Sequence, residues 1–195
     1  MDKPEKILAA ALQLFVTYGF HGTPTSKIAA EAGVSNGTLF HYFKTKDELV
    51  VALYTSIKGE LNRYMVDKLS KAITVKERAE GLFIHSLAWA MEHKDAFFFI
   101  QQFHFSPHIN LIPEAEVKKQ TQLHMQLLQE GLKAKIFKSY APDFIASIYG
   151  SQINGIYHYL LNNDLSGAKK KKIIRDAFEA TWAVLTNPEE KWIKK

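Results

Sequence analysis

A short run of polar side chains within residues 35–46 has the types and spacing that can contact DNA. Asn36 can form a bidentate pair with adenine, and Thr38 offers a hydroxyl group together with a methyl group for the thymine methyl. Gly37 lets the backbone approach closely, and His41 follows one helical turn later. The predicted chemistry is hydrogen bonding to base edges and phosphates.

Two short helices joined by a tight turn are expected to present these side chains. Thr23 is predicted to cap the first helix, with Pro24 at its first helical position. Gly33 follows that helix where a left-handed residue is wanted. The inward face of the first helix is expected to comprise Ile28, Ala29 and Ala32.

The second helix is predicted to begin after Ser35, whose hydroxyl can cap it. Leu39 and Phe43, four residues apart, form its inner side. Thr45 and Glu48 form a capping box that begins a third helix and places Lys46 in its first turn, which suits a phosphate. The turn of about three to four residues between the first two helices is typical of a helix-turn-helix, whose second helix enters the major groove.

The stretch Gly19–Leu49 resembles the N-terminal domain of the TetR family of bacterial transcriptional regulators. The resemblance lies in Gly19-Phe20, Ile28-Ala29 and the unbroken run AGVSNGTLFHYFKTKDEL. It implies an all-α protein: a three-helix helix-turn-helix DNA-binding domain over residues 1–47, then a helical ligand-binding and dimerisation domain over residues 48–195.

The resemblance also implies which side chains contact DNA. At Phe40 the family very often has tyrosine, so a phosphate contact from that hydroxyl is absent, and Tyr42 is the candidate to replace it. The expected partners are a palindromic operator, a second copy bound through the last two helices, and a small, largely apolar effector that releases a repressor. The predicted DNA-binding residues are Thr25, Ser35, Asn36, Gly37, Thr38, His41, Tyr42 and Lys46.

A ligand pocket is expected among side chains of the second domain that mix rings with a few polar groups, which is the composition of small-molecule sites. The alternative is an aromatic core without a ligand. The candidate residues are Trp89, Phe98, Phe99, Gln102, Phe103, His104, His108, His124, Tyr149, Asn154, Tyr157 and His158.

Composition limits the other classes of function. The 195 residues are 47% hydrophobic, enough for a buried core, and the absence of cysteine excludes disulfides and thiolate chemistry. No run is long and apolar enough for a membrane span, so we expect a cytoplasmic protein that does not contact a membrane. The formal net charge is +5. Residues 1–50 are nevertheless neutral, because Lys3, Lys6, Lys27, Lys44 and Lys46 balance Asp2, Glu5, Glu31, Asp47 and Glu48.

Asp2 with Glu5 is a predicted capping pair for a first helix that ends at Gly19, and the apolar face of this helix is expected to comprise Ile7, Leu8, Ala11, Leu14, Phe15 and Tyr18. Helical periodicity continues through the rest of the chain. One long helix is predicted from Lys46 to about Ser70, and Thr74 with Glu77 forms a capping box that opens the next. The apolar segment 96–113 is expected to be surrounded on several sides. Further helices are predicted over about 113–133, with Val117, Leu123, Leu127 and Leu128 inward, from Pro142 to about residue 161, and over about 167–186.

Three other readings have weaker support. His104 and His108 are four apart, but Pro107 interrupts their helix and neither an acid nor a cysteine lies beside them, so no metal or other cofactor is expected. The run Lys169–Lys172 is interpreted as a solvated face. No catalytic motif is visible, so an enzyme is not expected. The remaining alternative is a helical ligand-binding or interaction protein whose N-terminal domain does not read DNA.

Overall fold

The computed structural model describes residues 2–188, and these form nine α-helices and one 3-10 helix with no β-strand. Phe137 and Thr186 form an isolated antiparallel bridge. The fold class is therefore all-α, as predicted; residues 189–195 of the predicted second domain lie outside the described part. The α-helices are α1 Lys3–Tyr18, α2 Thr25–Glu31, α3 Asn36–Tyr42, α4 Lys46–Leu69, α5 Val75–Glu92, α6 Lys94–His104, α7 Glu114–Lys133, α8 Pro142–Leu161 and α9 Gly167–Leu185, and the 3-10 helix is Pro107–Leu111.

The chain divides into two compact units, and the divisions fall inside α4 and α7. Unit 1 comprises Met1–Asn62 and His93–Lys118, and unit 2 comprises Arg63–Glu92 and Lys119–Lys195. Unit 1 thus contains the three N-terminal helices, all of α6, the 3-10 helix, and the first parts of α4 and α7.

Aromatic packing holds unit 1 together. Phe15 of α1 is fully buried and stacks on Phe99 of α6, with ring centroids 6.2 Å apart. Phe20 meets both rings edge-on, at 5.3 and 5.5 Å. Such arrangements match the charge distribution of aromatic rings, so they add to the free energy gained by burial. These rings pack α1 against α6, and α2 and α3 in turn pack against α1.

Unit 2 has its own apolar core, in which α5 packs against α8 and α9. Phe83 of α5 is fully buried, and its centroid lies 5.8 Å from that of Phe178 on α9. Trp182 continues the ring contacts one turn along α9. No helix among residues 2–188 has the length and hydropathy needed to cross a bilayer.

The predicted caps set two helix starts. Asp2 and Glu5 form a reciprocal capping box at α1, with both hydrogen bonds present. Thr74 and Glu77 do the same at α5. These pairs satisfy backbone N–H groups that have no partner within the helix, which explains why short local motifs located the starts correctly.

Three predictions of burial were wrong. Phe98 is 41% exposed although Phe97 and Phe99 are buried, so the apolar segment is covered on fewer sides than expected. Val117 and Tyr18, both expected to point inward, are also exposed. Each lies at the edge of a helical face, where periodicity cannot tell whether a neighbouring element covers the side chain.

Candidate nucleic-acid interface

The turn between α2 and α3 is fixed by a Schellman motif. Gly33 has φ +66°, and its N–H donates to Ala30 O at 3.1 Å. The Val34 N–H donates to Ala29 O at 2.9 Å. These are the two bonds that close a helix through a left-handed residue, where glycine carries no Cβ penalty. The predicted end of α2 is therefore confirmed, together with the burial of Ile28, Ala29 and Ala32.

Ser35 caps α3 as predicted. Its extended backbone precedes the helix, and its Oγ accepts from the Thr38 N–H at 3.1 Å and lies 3.0 Å from Thr38 Oγ1. Leu39 and Phe43 are buried beneath the helix. Packing below and capping at the start hold α3 so that its first residues face outward.

The predicted base-contacting residues lie together on the outer side of α3. Asn36, Gly37 and His41 are exposed, and Thr38 is half-buried. A Cβ built on Gly37 would meet only Ser35 Oγ, at 3.7 Å, so the space above this residue is open. The N-terminal end of α3 thus presents one amide, one hydroxyl and one imidazole beside an uncovered stretch of backbone.

Thr23 does not cap α2, which corrects the sequence prediction. Its side chain is fully buried, and its hydroxyl donates toward Leu14 O at 3.1 Å and Gly19 O at 2.8 Å. The N-cap position of α2 is Pro24, with no side-chain cap bond, and Thr25 is the first helical residue. The hydroxyl is used instead to satisfy carbonyls at the end of α1, so Thr23 ties the α1–α2 connection to α1.

The start of α4 carries Lys46, for which a phosphate contact is predicted. Thr45 Oγ1 accepts from the Glu48 N–H at 3.0 Å, and the Glu48 carboxylate accepts from the Lys44 N–H at 2.8 Å. The Glu48 carboxylate therefore accepts from the N–H of Lys44 and not, as in a standard capping box, from the N–H of the N-cap residue Thr45. Lys46 is half-buried in the first helical position, and Thr25 is half-buried at the start of α2.

Two contacts near His41 were missed by the sequence analysis. Lys44 Nζ donates to His41 O at 3.0 Å, so an exposed ammonium lies at the C-terminal end of α3. The rings of His41 and Tyr42 meet edge-on at 5.2 Å, and Tyr42 is 39% exposed. A lysine near the C-terminal end of a helix is a recognised partner for free carbonyls, and this signal could have identified Lys44, which follows the C-cap Phe43.

The twelve predicted pocket residues are distributed over both units. Phe98, Phe99, Gln102, Phe103, His104 and His108 belong to unit 1, and Trp89, His124, Tyr149, Asn154, Tyr157 and His158 belong to unit 2. A groove of about 810 Å³ opens along the first turns of α4 in unit 1, but none of the twelve lines it. Within residues 2–188, the buried Oε1 of Gln102 has no hydrogen-bond partner.

His104 and His108 have different surroundings. The Nε2 of His104 lies 3.0 Å from the hydroxyl of Tyr54, while the ring of His108 is buried against Phe20. Over the described residues, no group of three potential metal ligands comes together.

Known proteins resemble this chain in sequence and in fold. Residues 7–53 match the family model for bacterial regulatory proteins of the tetR family. The fatty acid metabolism regulator protein of Bacillus subtilis is 33% identical over 73 residues, which are 37% of this chain and 38% of that protein. The chain therefore aligns with well under half of that relative.

Two other relatives extend beyond the N-terminal helices. The transcriptional repressor KstR2 of Mycolicibacterium smegmatis is 28% identical over 142 residues, covering 70% of this chain and 68% of that protein. A crystal structure of a tetR-family transcription regulator from Shewanella sp. PV-4 superposes with a TM-score of 0.87 at 28% identity, over 96% of this chain and all of that one. These relatives are transcription regulators and not enzymes.

Proposed function

We propose that this chain, whose residues 7–53 match the model for bacterial regulatory proteins of the tetR family, is a homodimeric cytoplasmic repressor of that family, released from a palindromic operator by a small molecule. We assign DNA reading to residues 1–47 and ligand binding and dimerisation to residues 48–195. The observation that carries the proposal is the start of α3, where Asn36, Gly37 and Thr38 lie on a helix that is capped, packed from below and open above.

Each predicted side chain has a defined part in the proposed complex. Asn36, Thr38 and His41 contact bases or nearby phosphates, while Gly37 admits the DNA backbone or a base edge. Thr25, Ser35, Tyr42 and Lys46 bind phosphates. Few of these groups are cationic, so binding should weaken only modestly with salt.

Dimerisation through α8 and α9 is supported by the apolar side chains that these helices leave exposed. Phe144 and Val184 are each 52% exposed, and Tyr159 is 47% exposed. Two such helices from each copy form a four-helix interface across a two-fold axis. We expect Tyr159→Glu to yield monomers in light scattering. Met125→Glu, on an exposed position of α7, is the control and should remain dimeric.

In the homodimer, the two α3 helices read half-sites about 34 Å apart. An effector that binds more tightly to a different spacing shifts the population away from the DNA-competent form. The difference between its binding free energies for the two forms then appears as a loss of DNA affinity. The description of one relative as a repressor supports this direction of control.

The test is fluorescence anisotropy on DNA fragments that flank the protein's own coding region, at several salt concentrations. We expect one fragment to bind tightly, with Asn36→Ala and His41→Ala each weakening binding about tenfold or more. Gln13→Ala, on an exposed position of α1, is the control and should bind as the wild type does. If all fragments bind weakly and equally, a selection from random DNA follows. If that selection also enriches no sequence, the proposal that the protein reads DNA sequence is refuted.

Two further variants separate base reading from phosphate contact. Gly37→Glu should abolish binding yet keep the helical circular dichroism, because a side chain fits there without a clash. Lys46→Ala should weaken binding to all sequences and reduce the salt slope by about 1. If Gly37→Glu binds DNA normally, the N-terminal domain does not read DNA through α3.

A further inference from the structure

The groove along the first turns of α4 has apolar surface that other elements leave uncovered. One of its walls is α4, and the other is the segment 107–116 that follows α6, so the whole groove lies within unit 1. Val51 and Ala52 of α4 line it and are half-buried, while Leu111 on the other wall is 52% exposed. The volume of about 810 Å³ is within the range of small-molecule sites. The groove can therefore hold the apolar body of a small molecule.

The charged side chains of the groove are all acidic. Asp47 and Glu48 line it from the first turn of α4, and Glu116 lines it from α7. None of the ten described residues that line the groove is a lysine, an arginine or a histidine. The side chain of Asp47 is 64% exposed and thus accessible to a ligand. Since charges of opposite sign attract, the groove favours a cation over a neutral molecule or an anion.

The contacts of the two carboxylates on α4 leave room for a cationic partner. Glu48 accepts from the backbone N–H of Lys44, which carries no charge, and Asp47 Oδ1 accepts from His108 Nε2 at 3.1 Å. Each carboxylate has two oxygens and can accept further hydrogen bonds. Within residues 2–188, no lysine or arginine nitrogen lies within 4.0 Å of either carboxylate. An ammonium group would therefore meet carboxylates that no cationic side chain already neutralises.

The arrangement of these acids suits an organic cation better than a metal ion. A metal ion requires several ligands gathered around one point. Over the part of the chain that the structure describes, no three potential metal ligands come together. An organic cation needs no such cage, because separate carboxylates attract its charge while the apolar wall takes up its body.

We propose that this groove binds an organic cation with an apolar body. The positive charge lies against the carboxylates of Asp47 and Glu116. The apolar part lies on Val51, Ala52 and Leu111. The three hydroxyl groups that also line the groove supply further acceptors for an ammonium N–H.

Occupation of the groove should also affect the start of α4, where Lys46 is the proposed phosphate contact. Thr45, the residue that caps α4, lines the groove, and the hydrogen bond between Asp47 and His108 joins its two walls. An ammonium that binds Asp47 competes with His108 for this carboxylate, which should shift the first turn of α4 and lower operator affinity. As an effector site, the groove rests on the function proposed above, whereas cation binding itself can be measured without DNA.

The experiment compares three naphthalene compounds of similar shape that differ in charge. Isothermal titration of the full-length protein is carried out with 2-naphthylmethylammonium, with the neutral 2-naphthylmethanol and with the anion 2-naphthoate. We expect the cation to bind about tenfold more tightly than the alcohol, because more than one carboxylate contributes. The anion should bind more weakly than the alcohol.

Two substitutions remove the charge and keep the size of the side chains. Asp47→Asn and Glu116→Gln should each lower the preference for the cation over the alcohol about threefold, and the double variant about tenfold. The affinity for the alcohol should not change. Asp67→Asn removes an exposed carboxylate elsewhere on α4 and should bind all three compounds as the wild type does. Circular dichroism checks that each variant is folded.

A third substitution tests the space and does not depend on the charge variants. Ala52→Phe places a ring in the groove, so it should abolish binding of both the cation and the alcohol. Ala88→Phe, at an exposed position of α5, is the matched control and should bind both.

Several outcomes would overturn the proposal. It is wrong if the wild type binds cation and alcohol equally, if the double variant keeps the full preference, or if Ala52→Phe binds as the wild type does. Operator affinity, measured by anisotropy, should fall as the cation is added, and an unchanged affinity would mean that the groove is not an effector site. If the wild type binds no operator at all, the proposed function fails, while the calorimetry still decides whether the groove binds a cation.

Discussion

His108 Nε2 lies 3.1 Å from Asp47 Oδ1, and this hydrogen bond joins the 3-10 helix to the first turn of α4. The other ring nitrogen of His108 is 3.1 Å from Ser106 Oγ. Phe20 covers the imidazole edge-on at 5.2 Å. Because both nitrogens have partners and the residue is only 8% exposed, His108 stabilises the segment next to Lys46.

The two partners of this hydrogen bond should differ in their effect on stability. His108→Ala removes a buried ring, so it should lower the free energy of unfolding by about 2 to 4 kcal/mol. Asp47→Ala should cost less than about 1 kcal/mol, because its carboxylate is 64% exposed and water can replace it as the acceptor. Urea denaturation of both variants checks this. Equal losses would mean that the hydrogen bond, and not the packing of the ring, stabilises this contact.

Ser35 has a capping function that can be separated from its proposed contact with DNA. Ser35→Ala removes the acceptor for the Thr38 N–H, which should cost about 1 kcal/mol of stability. Ser166 caps α9 in the same way, so Ser166→Ala is the matched control. We expect Ser35→Ala alone to weaken operator binding in anisotropy. If the two variants bind DNA equally well, neither the cap nor the hydroxyl of Ser35 contributes to recognition.

The N-terminal helices could be predicted from sequence because local chemistry specifies their ends. Gly33 and Ser35 end α2 and begin α3 through hydrogen bonds that span only a few residues. Thr23 was misassigned because its hydroxyl binds Leu14 O, nine residues earlier, and a local pattern cannot indicate such a distant acceptor.

The surroundings of His104 show what the sequence could not provide. Tyr54 and His104 are 50 residues apart in the chain, and the contact between them depends on how α6 packs against α4. His104 and His108 share a helical spacing in the sequence, yet in the structure one contacts Tyr54 and the other Asp47. The surroundings of both histidines therefore depend on contacts with residues that are distant in the sequence.

Acid should destabilise the protein partly through the cap of α5. The Glu77 carboxylate accepts from the N–H groups of Thr74 and Ile73, each at 2.9 Å, and these bonds lower the pKa of Glu77. Because the pKa of Glu77 is lower in the folded state, its ionised carboxylate stabilises the fold at pH values above the ordinary glutamate pKa. That stability is lost as the pH falls through the lower pKa of the folded state. Glu77→Gln keeps a polar acceptor without titrating. The stability difference between wild type and Glu77→Gln should therefore shrink in urea denaturation as the pH falls from 7 to about 3; a constant difference would contradict this role.

Gly131 near the end of α7 is required by close packing in unit 2. A Cβ at this position would overlap the ring of Phe137, which is itself buried and contacts Trp182 edge-on at 5.6 Å. The buried ring would have to shift within the core, so Gly131→Ala should cost about 1 to 3 kcal/mol. Gly155→Ala on α8 is the control, because a Cβ there meets no heavy atom within 4 Å. That variant should gain up to about 1 kcal/mol from helix propensity. Urea denaturation at a fixed protein concentration measures both, and a neutral Gly131→Ala would mean that Phe137 can repack.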